Sequence, residues 1–202
     1  MRMYDFTLAP SPRRVRIFLA EKGIEIPLVQ VDIMRNANRT PEFYKKNPSG
    51  SLPVLELDDG SCIAESVAIC RYFEELHPHP ALFGTSAFER ATVEMWNRRM
   101  ELALFSQVGM VWAHLHSLTA ARIKQIPEAG QQARANVEGR FRWLDQELAE
   151  RSFIAGEKYS IADITALCAI DFAAFNNLPI QPDQKNLARW HQSISSRPSA
   201  TA

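Results

Sequence analysis

Residues 50–66 read GSLPVLELDDGSCIAES. Two short apolar runs, LPVLEL and SCIA, flank DDG at 58–60, a hairpin turn signal, so they read as antiparallel neighbouring strands. Pro53 opens the first run, and a residue without an N–H belongs at a strand's first position, an edge or a bulge. If the Leu52–Pro53 peptide is cis, the bend exposes the N–H and C=O of Leu52 to an extended peptide, which can pair with them as an added strand. Glu65 and Ser66 close the second run, where the helical pattern VAICRYFEEL begins. Ser66 reads as the cap of that helix, whose first N–H groups bind carboxylate. A ligand with both an α-ammonium and an α-carboxylate would place the first by Glu65 and the second at Ser66. The same pair would also serve as a plain helix cap.

Outward from this stretch, residues 1 to about 80 alternate short apolar runs (MYDFTL, IPLVQVDI, LPVLEL, SCIA) with helical patterns (VRIFLAEKG, PEFYKKN, SVAICRYFEEL). The alternation predicts an α/β unit with a mixed sheet. Ser11 reads as the cap of the first helix, with Pro12 in its first turn and Gly23 past its end; Thr40 and Pro41 repeat the device. HPHPALFG then breaks the pattern near 78–85. From residue 86 to 202 there is no convincing strand, only amphipathic helical stretches including FERATVEMWNRRMELALFSQVGMVWAHLHSL and SIADITALCAIDFAAF. Two domains are expected, at 1–80 and 86–202. In the second, Ser160 and Asp163 have the spacing of a capping box, a folding device whose loss lowers stability before activity.

The composition excludes several classes. Lys plus Arg and Asp plus Glu are 23 each, so no net field draws nucleic acid or an anionic membrane. No segment approaches the ~18 apolar residues of a bilayer span or forms a signal peptide, so a reducing cytoplasm is expected. Cys62, Cys70 and Cys168 form no CxxC and read as small buried hydrophobes. His114 and His116, two apart on a helix, point to different sides, and His77 and His79 flank prolines, so no metal site is expected.

In APSPRRVRIFLAEKGIEI, NPSGSLPVLELDDGSCIAESVAICRYFEE and FIAGEKYSIADIT, the chain resembles the glutathione S-transferase superfamily. The resemblance implies a thioredoxin-like N-terminal domain, an all-helical C-terminal domain, and a cytoplasmic homodimer that takes glutathione as co-substrate. It implies that Pro53 is the cis proline, that Leu52 pairs with the cysteinyl backbone, and that Glu65 with Ser66 holds the γ-glutamyl end. Arg39, Ser51 and Lys45 are candidates for the glycyl carboxylate. Met100, Phe105 and Trp112, with Trp96 and Met110, lie on one long helix; most read as core. In the resembling family that helix walls the second-substrate pocket, and its apolar character suggests a hydrophobic electrophile.

Glutathione's thiol, with an ordinary pKa of ~8.5, must be brought down to react as thiolate. In many members of the family a serine or cysteine stands six residues before the position of Val15, which here is Ala9. Ser11 is the candidate substitute, and Tyr4 resembles the tyrosine of other classes. Arg13 and Arg14 put positive charge in the early turns of the first helix, unfavourable to its dipole; one is expected to face the cleft or an acid such as Glu94 or Glu101. Conjugation to an electrophile is the leading expectation. Disulfide reduction by the same thiolate and a non-catalytic binding module are the alternatives.

Overall fold

The computed structural model describes residues 1–202. It divides into two units, Met1–Leu82 with Pro198–Ala202, and Phe83–Arg197.

In the first unit, strands β1 (Arg2–Asp5), β2 (Leu28–Gln30), β3 (Val54–Glu56) and β4 (Cys62–Ala64) form one mixed sheet in the order β2-β1-β3-β4. β1 runs parallel to β2 and antiparallel to β3, and β3 and β4 make the hairpin expected around Asp58–Gly60. Period-two alternation sorts the side chains. Tyr4 and Val54 join Val31 and Phe43 on one face, the side of α2 (Pro41–Lys46). Met3 and Leu55 turn to the other, where α1 (Pro10–Lys22) and α3 (Ser66–Leu76) pack through Val15, Phe18, Ile69 and Phe73.

Helix α1 starts earlier than the sequence suggests. Ala9 is its N-cap and makes no side-chain cap bond, while Pro10 takes the first helical position, so Ser11 lies inside the first turn instead of capping it. At the far end Gly23 adopts φ 64° and donates to Ala20 and Leu19, the expected left-handed stop. The buried Lys22 ammonium pairs with Glu74 (2.5 Å) and donates to the carbonyls of His77 (2.7 Å) and Pro80 (2.6 Å). Glu74 in turn accepts from the Leu82 N–H (3.0 Å), so one ion pair ties α1, α3 and the outgoing chain. The second domain was expected to run to residue 202. Pro198–Thr201 instead form a 3-10 turn grouped with the first unit, its Ala200 carbonyl accepting from Arg13 (3.0 Å) and its Ser199 hydroxyl donating to Glu21.

The second unit is helical: α4 (Ala87–Arg98), a π-helical segment (Arg99–Phe105), α5 (Ser106–Leu115), α6 (Pro127–Glu147), α7 (Ile161–Phe175) and α8 (Lys185–Ser195). α7 is buried continuously from Ile161 to Ile170, as a helix apolar all round requires. The predicted long helix is continuous, yet its middle widens into π turns, which re-phases the faces of α4 and α5. Gly130 lets α6 approach α5: a Cβ there would meet Leu115 at 2.5 Å. The capping box of α7 forms as read, with Asp163 accepting from the N–H groups of Ser160 (3.0 Å) and Ile154 (2.8 Å) and from Trp190 Nε1 (2.9 Å).

Candidate functional site

The strand register gathers the sequence-predicted residues. Val54 pairs with Ala64, so one step further sets Pro53 opposite Glu65 and Leu52 toward Ser66. Tyr4 pairs with Val54, so the end of β1 and the turn into α1 lie at that same end of the sheet. This is the carboxyl end of the parallel pair β1/β2, where open α/β sheets bind ligands.

The Leu52–Pro53 peptide is cis. Leu52 is half-buried, and neither its N–H nor its C=O is taken up by another group of the protein. The approach to it is held by polar stitching. Asn47 donates to the Ser51 carbonyl (2.9 Å) and hydroxyl (3.0 Å), Ser49 and Ser51 hydroxyls meet at 2.7 Å, and Asn38 donates to the Gly50 carbonyl (2.7 Å). Gly50 is favoured by its φ of +65°, and a Cβ there would also crowd the Arg39 guanidinium (2.6 Å), the Tyr44 ring (2.9 Å) and the Asn38 carbonyl (3.1 Å). Arg39 donates to the Ser49 carbonyl (3.1 Å) and stays exposed, as does Lys45.

Across the hairpin, Glu65 and not Ser66 is the N-cap of α3, and its carboxylate caps nothing. It sits at φ 70°, ψ 117°, which costs a non-glycine residue about 1–3 kcal/mol and is the kind of strain concentrated at functional positions. Ser66, the first helical residue, is buried, and its Oγ accepts from Arg14 Nη1 at 2.7 Å. The first backbone bond of the helix is Ile69 N–H to Glu65 C=O, so the N–H groups of Ser66, Val67 and Ala68 precede the intrahelical ladder.

At the start of α1, proline at positions 10 and 12 removes two first-turn donors, and Arg13 N–H goes to the Ala9 carbonyl (3.2 Å). Ser11 is left with both its N–H and its hydroxyl unengaged, half-buried. The turn before it is fixed by the buried Asp5, which pairs with Arg16 (2.5 Å) and accepts from Gln30 (2.6 Å), while Arg16 reaches the Thr7 carbonyl (2.8 Å). Tyr4 does not join the site. Its hydroxyl donates to Glu56 at 2.5 Å on the α2 face of the sheet, beside Lys46 and Arg2. That phenol first, then the two cations, holds the Glu56 carboxyl down to about 2.

In the second unit, Met100 is only 1% exposed and presents no surface to a ligand, a correction to its expected place in a pocket wall. Phe105 and Trp112 behave differently: both meet Phe172 (6.4 and 5.7 Å), and Trp112 also packs on His116 (4.2 Å) and Phe175 (5.8 Å). Phe175, at the end of α7, is 58% exposed. Of the cysteines, Cys70 and Cys168 are buried as expected; Cys62 is half-buried on β4, where burial pushes its thiol up.

Models of the glutathione S-transferase N-terminal and C-terminal domains match residues 9–76 and 104–198. Glutathione S-transferase 2 of Saccharomyces cerevisiae is 36% identical over 203 residues, covering 98% of this chain and 87% of its own. The chain belongs to the glutathione S-transferase family. A solved glutathione S-transferase domain-containing protein from Marinobacter aquaeolei VT8 superposes with a TM-score of 0.93 at 38% identity, covering 98% and 99% of the two chains. Similarity extends to elongation factor 1-gamma 2 of Oryza sativa subsp. japonica, 33% identical over 146 residues, 72% of this chain but 34% of that longer one.

Sequence reasoning missed three features of this glutathione S-transferase. The Arg14–Ser66 bond spans 52 positions and has no local signal. Asn38 and Asn47 look like ordinary loop residues. Phe172 and Phe175 did carry a signal, an i, i+3 aromatic pair on a helix.

Proposed function

We propose that the chain conjugates the thiolate of glutathione to hydrophobic electrophiles, with the tripeptide held at the sheet end described above. Leu52 pairs through its N–H and C=O with the cysteinyl backbone, Pro53 shapes that edge, and Glu65 receives the γ-glutamyl ammonium. Ser66 and the first N–H groups of α3 receive its carboxylate, while Arg39, with Ser51 beside it, takes the glycyl carboxylate. The observation that carries the reading is the pairing of an unengaged Leu52 backbone with an open α3 start across one hairpin.

Ser11 is the activating residue of this proposal. A thiol starting at ~8.5 needs ~2.7 kcal/mol of preferential thiolate binding to fall by two pKa units. A hydroxyl bond to the anion contributes about 1.5–3 kcal/mol and the helix start roughly 0.3–2, enough between them without a metal. The exposed aromatic edge at Trp112 and Phe175, with Phe105 behind Phe172, supports an apolar second substrate. The family kinship supports a cytoplasmic homodimer, which size-exclusion with light scattering tests.

Calorimetric titration with reduced glutathione, followed by assays with an aromatic halide and with a mixed glutathione disulfide, tests the reading. Binding and turnover of the halide are expected. Turnover of the disulfide alone would replace conjugation by reduction, binding without either reaction would leave a non-catalytic module, and absence of binding would overturn the site.

A further inference from the structure

The connection from α5 to α6, residues 117–126, is held at both ends by imidazoles. His116 Nδ1 accepts the Leu118 N–H (3.2 Å) and so caps the 3-10 turn Ser117–Thr119. His114 Nδ1 accepts the N–H of Ile126 (3.2 Å), the apolar N-cap of α6. Histidines two apart on one helix point to different sides, yet these two meet one connection, because His116 lies beyond the end of α5. Between the ends the chain is knotted by groups that do not titrate: Gln125 Nε2 donates to the His116 carbonyl (2.8 Å), and Thr119 Oγ1 lies 2.7 Å from the same oxygen. A ring nitrogen that accepts carries no proton, so both rings are neutral with their hydrogen on Nε2. A protonated imidazole has two donors and no acceptor, and a proton at Nδ1 sets N–H against N–H at Leu118 and at Ile126.

We propose that His114 and His116 form a pH-sensitive latch: their neutral rings hold both ends of the connection, and protonation at Nδ1 releases it. The latch is closed at alkaline pH and is lost as pH falls through the range, about 8 to 5, in which imidazoles change charge. No charged side chain hydrogen-bonds or ion-pairs with either ring. The charged groups on the elements packed around them are Arg122 and Lys124 in the connection, Glu128 and Arg134 in the first turns of α6, and Asp171 on α7. Arg134 is taken by Glu138 (3.4 Å) and the Asn177 carbonyl (3.2 Å), and Asp171 by His191 Nε2 (2.7 Å), while Arg122, Lys124 and Glu128 are exposed. His116 also packs on Trp112 (4.2 Å) and Phe175 (5.4 Å), so the latched connection frames the exposed aromatic edge. The device stands apart from the glutathione reading, since no ligand enters it or its test.

Amide exchange resolved by NMR, expressed as protection relative to an unstructured chain at each pH, tests the latch on the full chain. From pH 8 to pH 5 the Leu118 and Ile126 amides should lose protection by at least about threefold, within the range of one net hydrogen bond. The Val137 amide inside α6 should lose less. It tracks any global loosening, including that from the buried Asp163, whose carboxyl is also held at about 6. In His114→Asn and His116→Asn the side-chain carbonyl accepts at every pH, so the double variant should keep both amides protected at pH 5. Each single variant should rescue its own amide alone, Ile126 or Leu118, which decides the matter if the double variant fails to fold. Imidazole nitrogen spectra of the wild type at pH 8 should show the Nε2–H tautomer at both rings.

Wild-type protection that does not change with pH overturns the inference, as does a loss shared equally by Val137. An acid loss that persists undiminished in the asparagine variants assigns it to another group, and an Nδ1–H tautomer at pH 8 removes the acceptor on which the latch depends.

Discussion

Helices α3 and α7 both begin with a serine and an acid, and the two starts are finished in opposite ways. At α7, Asp163 closes the turn: it takes the N–H groups of Ser160 and Ile154 and the Trp190 indole, while Ser160 Oγ accepts from Ala162. At α3, Glu65 caps nothing, sits at positive φ, and leaves the first N–H groups outside the ladder. A saturated helix start has no capacity left for a ligand, so its residues serve folding; an open one keeps its donors for an incoming anion. The comparison predicts a clean separation between stability and binding.

The largest expected effect is at the closed start. Asp163→Ala removes the acceptor of four buried donors, the N–H groups of Ile154 and Ser160, the Ser160 hydroxyl and the Trp190 indole, and should lower the free energy of unfolding by about 3–5 kcal/mol in urea, with glutathione affinity of the folded protein unchanged. Burial holds the Asp163 carboxyl up at about 6, above its ordinary 3.8. The folded state therefore binds this proton more tightly than the unfolded one. The stability contributed by the group is full below pH 3.8 and is lost as pH rises to about 6. The stability difference between wild type and Asp163→Asn, followed across that window, should fall with rising pH; a flat difference would mean the carboxyl stays charged.

The open start inverts the pattern. Ser66→Ala should weaken glutathione binding by about 1.5–3 kcal/mol in calorimetry and shift the melting temperature by only a few degrees. A variant that lost stability and kept affinity would show that Ser66 closes its helix after all. Next in size is Ser11→Ala, at the α1 start. Titration of the bound thiol by its ultraviolet thiolate absorbance should give a pKa raised by about one unit, with turnover near neutral pH reduced and KM unchanged.

Sequence punctuation located these helices within a few residues but not which starts were open. Ser11 and Ser66 both look like caps, because Ser before an apolar helix usually is one. What displaced them was backbone conformation one or two residues earlier: Pro10 pulled the α1 start forward, and the positive φ at Glu65 moved the cap of α3 off Ser66. Ser160 was legible because its partner Asp163 is three residues away. The sheet, the hairpin and the convergence of Pro53 with Glu65 were legible because turn chemistry at Asp58–Gly60 sets the register. Arg14 reaching Ser66, Asp5 reaching Arg16 and Gln30, and the π turns at 99–105 depend on tertiary packing, for which no local spacing exists.

Tyr4 supplies the smallest effect and the sharpest control. From sequence it competed with Ser11 for the thiol, yet its hydroxyl is engaged by Glu56 on the opposite face of the sheet from α1. Tyr4→Phe should therefore leave glutathione conjugation unchanged while costing about 1 kcal/mol of stability, the usual net worth of one such bond. The pH dependence carries the signature. Glu56, held at about 2 against an ordinary 4.5, contributes stability that is full above pH 4.5 and is lost as pH falls through about 2. Without the phenol its carboxyl rises toward the ordinary value, so acid unfolding of the Phe variant should begin at a higher pH than in the wild type. Arg2 and Lys46 still hold the carboxylate, so the change is partial. Loss of conjugation in a Phe variant with an unchanged acid limb would instead return Tyr4 to the thiol and remove Ser11 from it.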